Sequence, residues 1–138
     1  MAKKKVFISY DHSEDLLYKN LLLAWHANDS FEFEFDQRSP NVPIDSNDAA
    51  RIKQSLTTMM KSAEYLLVII GAKSYTSKWM AWEIERAKQW DTNLKLAAIK
   101  ISYFNTTPAG LLGCNVAFAS AFEQDKIIEA LKKASNSY

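Results

Sequence analysis

Tyr65-Leu-Leu-Val-Ile-Ile70 is a continuous apolar run, and Gly71 stops it. A strand with one face in water alternates apolar and polar residues, whereas an unbroken run of this kind belongs to a strand covered on both faces. Helices must then lie above and below the sheet, and the flanking sequence supplies them. Ahead of the run, Ala49, Ile52, Leu56, Met59, Met60 and Ala63 recur at helical spacing, with Asp45 or Ser46 as the cap and the two methionines as core filler. Behind it, Ser77 is the predicted N-cap of a helix starting near Lys78, and Leu94 to Ile101 reads as another largely apolar strand.

Further out, Phe31-Glu-Phe-Glu-Phe35 alternates strictly, which predicts a half-exposed strand near a sheet edge with its phenylalanines inward. Lys5-Val-Phe-Ile-Ser-Tyr10 reads as a buried first strand. Between the two, Ser13 is the expected cap of a helix running to about Ala27, with Leu17, Leu21, Ala24 and Trp25 on its inner face. Val116 to Ala119 forms a short last strand, and Phe122 to Ala134 a closing helix with Ile127, Ile128, Leu131 and Ala134 buried. Strand and helix alternate five times. The expected fold is therefore α/β, a flavodoxin-like three-layer sandwich with a central parallel five-stranded sheet and helices on both faces. It forms a single domain over residues 1–138, with a core from about 3 to 134.

Composition narrows the function. Lys and Arg number 17 against 16 Asp and Glu, so the net charge of +1 gives no broad electrostatic footprint for nucleic acid. No apolar run approaches the ~20 residues of a membrane span, and the cytoplasm is the expected location. Cys114 is the only cysteine, and His12 and His26 are the only histidines, so no metal cluster of familiar spacing is expected. Ser9-Tyr-Asp-His-Ser13 lacks the glycines of a phosphate-cradling loop, and Gly71 stands where a phospho-accepting receiver needs an aspartate.

In open parallel sheets ligands bind outside the carboxyl ends of the strands. That edge gathers Tyr10-Asp11, Phe35-Asp36 and Gly71 to Trp79, along with the proline-bearing loop Asp36 to Asp45. In the helix opened by Ser77, residues Trp79, Glu83, Arg86 and Trp90 follow at spacings of four, three and four and share one side. A carboxylate walled by indole suits a nucleotide site, because the rings exclude water while the acid binds sugar hydroxyls or stabilises positive charge. The structural alternative pairs Glu83 with Arg86 on a solvated face and uses the tryptophans only to bury the helix.

Together, Lys5 to Tyr10, the aspartate after the second strand, Leu66 to Ile70 and Ser77-Lys-Trp-Met-Ala-Trp-Glu-Ile84 resemble a Toll/interleukin-1 receptor (TIR) domain. The Trp-x-x-x-Glu-Ile spacing and the length resemble, more narrowly, bacterial TIR-like proteins of the Thoeris anti-phage type. The resemblance implies that Glu83 is the catalytic acid for breaking the nicotinamide-ribose bond of NAD, with NAD a substrate and no cofactor or metal. It implies substrate-binding roles for Ser9, Tyr10, Asp11, Phe35, Asp36, Ser77 and Trp79. Glu85 points away and is read as a solvent partner for Lys88 or Gln89. The resemblance further implies a cyclic or modified ADP-ribose signal reaching a separate effector, self-association on activation, and a phage-derived trigger, with no nucleic-acid or membrane partner. Met80 replaces a cysteine common in the family, and the loop containing Arg38-Ser-Pro40 lacks the glycine of receptor and adaptor members. A second reading is a non-catalytic TIR module acting by self-association, with Trp82, Trp90 and the proline loop as anchors. A third is a nucleoside deoxyribosyltransferase-like enzyme.

Overall fold

A computed structural model describes residues 3–28, 31–36 and 43–138. Its sheet has five strands: β1 (Lys4–Ser9), β2 (Phe33–Phe35), β3 (Tyr65–Ile70), β4 (Lys95–Lys100) and β5 (Ala117–Ala119). Their order is β2-β1-β3-β4-β5, and every neighbouring pair is parallel. The helices are α1 (Leu16–His26), α2 (Ala49–Lys61), α3 (Lys78–Ala87) and α4 (Gln124–Lys133). The α/β reading holds, with Tyr65 to Ile70 central and buried throughout, and with β2 at an edge, its phenylalanines in and Glu34 out.

Alternation along each strand sorts the core into two halves. Val6, Ile8, Leu67, Ile69, Ala97 and Ile99 face α1 and α4, where they meet Leu22, Ile127 and Leu131. Phe7, Leu66, Val68, Ile70, Leu96 and Ala98 face α2 and α3, where they meet Leu56, Met60, Met80 and Ile84. Met60 is fully buried and Met59 packs beside it, consistent with their reading as filler.

Several local expectations are corrected. α1 starts at Leu16 because Asp11 organises an intervening turn: its carboxylate accepts the Ser13 N–H at 3.0 Å and the Ser13 hydroxyl at 2.7 Å. The inner face of α1 is Tyr18, Leu22 and Trp25, while Leu17 is 67% exposed and Leu21 and Ala24 also face out. A segment with leucine at positions 16, 17, 21, 22 and 23 is apolar all round, so periodicity alone leaves its rotation open. α2 begins after Asp48, with no side-chain cap. The β4–β5 connection contains only a short 3-10 turn, Ala109–Leu111, so helices number four among the described residues. The proline-loop reading at Arg38-Ser-Pro40 falls outside the described residues, as do positions 29 and 30 of the break after α1.

Candidate functional site

α3 forms as the sequence requires. Ser77 is extended, and its hydroxyl oxygen accepts the Met80 N–H at 3.2 Å, satisfying a donor the first turn leaves unpaired. The helix stops at Ala87 because later residues take its last carbonyls: the Thr92 hydroxyl donates to the Arg86 carbonyl at 2.7 Å. Asn93, at φ 46°, turns the chain left-handed and donates its N–H to the Gln89 carbonyl at 2.7 Å. Trp90 therefore lies beyond the helix, 92% exposed, and does not share the face of Trp79 and Glu83.

Met80, Ile84 and Ala87 bury α3 against the sheet, and Glu83 goes in with them, only 2% exposed. Its Oε1 accepts a hydrogen bond from the Ser9 hydroxyl at 2.7 Å, although the two residues lie 74 positions apart. The pairing follows from strand alternation: Phe7 faces the α2/α3 side, and Ser9, two residues on, reaches the same side. Loss of water pushes the Glu83 carboxyl up to about 8, against the opposing pull of the Ser9 hydrogen bond, which favours the charged form. The acid is thus neutral at pH 7. Arg86 does not neutralise it, because its guanidinium binds both Asp91 oxygens at 2.7 and 2.8 Å. The hydrogen bond from Arg86 holds the Asp91 carboxyl down to about 2. Glu85 points away and pairs with Lys88 at 2.7 Å, as its position predicts.

The other predicted residues divide between two sides of the sheet. Tyr10 and Phe35 are buried in the core under α1 and α4, opposite Glu83, and Phe35 stacks on His26 with ring centroids 6.1 Å apart. Asp11 and Asp36 are half-buried at the carboxyl ends of β1 and β2. Ser77 is engaged as the cap, and Trp79 is half-buried, edge-on to Trp82 at 6.0 Å and packed on the α2/α3 core. The structure therefore brings Ser9 and Glu83 into contact and places Asp11 and Asp36 on the rim of the same sheet edge.

One acid at this edge escapes a reading of helix dipoles. Asp15 is buried, and burial, with Asp11 and Glu14 adding repulsion, pushes its carboxyl up to about 6. It lies against the end of β3, where a Cβ on Gly71 would come within 2.2 Å of its Oδ2. Glycine at the end of the central strand, opposite an acid in the first βα turn, is the sequence signal for that contact. Among the described residues no group of three or more His, Cys, Asp and Glu is arranged to hold a metal ion.

A family model described as the TIR-like domain of the Thoeris protein ThsB matches residues 7–106. The chain belongs to that family. The match runs from β1 past the end of β4 and includes all the predicted site residues, while β5 and α4 lie beyond it. Among solved structures, a prokaryotic SEFIR domain is similar over 95% of each chain, with a TM-score of 0.51 and 16% identity. At that identity the likeness is one of fold, and it agrees with a TIR-like sandwich. No curated protein matches the chain by sequence. No helix among the described residues is long and apolar enough to cross a membrane.

Proposed function

We propose that this Thoeris TIR-like domain cleaves NAD at the nicotinamide-ribose bond in cytoplasmic anti-phage defence. The observation that carries the reading is the buried Ser9–Glu83 pair at the carboxyl edge of a parallel sheet. Nicotinamide in NAD is cationic and leaves with the bonding electrons as a neutral ring, so the enzyme's task is to stabilise positive charge developing on the ribose. An ionised Glu83 beside that ribose does so, and Ser9 orients its Oε1. Asp11 and Asp36, on the rim, are placed to take sugar hydroxyls. Trp79 forms the wall on the α3 side, with Ser77 fixing the start of that helix. Tyr10 and Phe35 support the strand ends from the opposite core.

In the closed state Glu83 is neutral and sealed, which keeps it silent. Opening the edge hydrates the carboxyl, lowers its pKa and ionises it, so activation by self-association in response to a phage-derived trigger would switch on charge as well as access. The product, a cyclic or otherwise modified ADP-ribose, would carry the signal to a separate effector. Purified chain, alone and forced to assemble on a scaffold, is incubated with NAD and the products are resolved by mass spectrometry. Turnover by the native chain and its loss in Glu83→Gln are expected; equal turnover in the two proteins refutes the assignment.

The sealing of Glu83 and the outward-facing Leu17, Leu21 and Trp90 favour one other reading, a module that signals by self-association without catalysis. Concentration-dependent assembly in sedimentation, with NAD left intact by the assembled protein, would select it.

A further inference from the structure

The carboxyl ends of β4 and β5 frame a cavity of about 660 Å³. Ile101, Ala119 and Phe122 line it and also pack on the α1/α4 core, so its floor is fixed. Tyr103 and Phe118 stand at its sides, 81% and 49% exposed. The Tyr103 ring is backed by Phe104, with centroids 4.1 Å apart, which makes a broad aromatic platform open to solvent. Lys100, half-buried at the end of β4, is the only charged residue among the described residues that line the cavity, and none of those residues is an acid. Its ammonium belongs to none of the ion pairs among the described residues.

We propose that this cavity is a second ligand site, for a nucleoside phosphate whose base stacks on Tyr103 and Phe118 and whose phosphate pairs with Lys100. The volume suits a small ligand, and the position is the strand edge where open α/β sheets bind them. Exposed aromatic faces gain by stacking on a base, and an unpaired ammonium without a neighbouring acid gains by binding phosphate. The cavity's lining shares no residue with the Ser9–Glu83 pair, so the assignment does not depend on whether Glu83 is catalytic.

Isothermal titration of the full chain with adenosine monophosphate, adenosine and inorganic phosphate tests the assignment. The monophosphate should bind at one site, and adenosine and phosphate each roughly tenfold more weakly or worse. Lys100→Met should weaken the monophosphate about tenfold and leave adenosine unchanged, while Tyr103→Ala should weaken both nucleosides by about tenfold. Neither side chain belongs to a core cluster, so both variants should fold, and unchanged melting temperatures check this. Glu83→Gln should bind the monophosphate as the native chain does. Absence of binding at millimolar monophosphate, binding indifferent to both cavity variants, or binding lost in Glu83→Gln would each overturn the proposal.

Discussion

Glutamine at position 83 keeps the carbonyl oxygen that accepts the Ser9 hydroxyl but removes the group whose ionisation the fold resists. The Glu83 carboxyl rises from an ordinary 4.5 to about 8 on folding. Because the folded value lies above the unfolded one, the unfolded chain ionises first, and stability is lost as pH climbs from about 4.5 toward 8. Each unit of difference is about 1.4 kcal/mol, so the loss is below about 1 kcal/mol at pH 5 and about 3 kcal/mol at pH 7. For a chain of this size that corresponds to about 10 °C in melting temperature near pH 7. Glu83→Gln should therefore melt close to the native protein below pH 5 and increasingly above it toward pH 8. Calorimetric or circular-dichroism melts of both proteins across pH 4.5–8 give the difference curve, which isolates residue 83 from every other titrating group. A difference that stays flat over that range would show that Glu83 is not a buried neutral acid.

Leu22→Ala should cost about 2–5 kcal/mol, whereas Leu17→Ala should change stability by less than about 0.5 kcal/mol; chemical denaturation of the pair tests the rotation of α1. Gly71→Ala drives a methyl group into the Asp15 carboxylate and should cost about 1–3 kcal/mol in the same assay, most of it regained in Gly71→Ala/Asp15→Ala. Asp91→Asn should lower the melting temperature at neutral pH, because the Asp91 carboxyl is depressed to about 2 by its bond from Arg86. That stabilisation is present above the unfolded carboxylate value and disappears as pH falls through about 2, so the variant and native melting curves should converge in acid.

Much of this architecture is readable from the chain because its strands are unambiguous. The run from Tyr65 to Ile70 has no polar interruption, and Phe31 to Phe35 alternates without exception, so burial on both faces and an edge position follow from period alone. Ser77 as a cap rests on the same kind of local chemistry. α1 resists this treatment because leucines surround it, and the sheet beneath decides which of them turn inward. The Ser9–Glu83 contact combines two readable facts, strand alternation and helix phase, yet the join between them depends on the register of β1 against β3 and the seating of α3. Arg86 was the nearer partner for Glu83 by spacing. Asp91, in the turn that follows α3, captures its guanidinium instead.

Both margins of the sheet are truncated: the outermost strands, Phe33–Phe35 and Ala117–Ala119, contribute three residues apiece. So short a ribbon offers a neighbouring molecule little backbone to zip onto, and Glu34, projecting beside one of these borders, adds charge that discourages lateral stacking. These borders thus give little footing for strand addition, and the fold leaves its side-chain surfaces on helices and loops as the broader ground for any contact with another molecule.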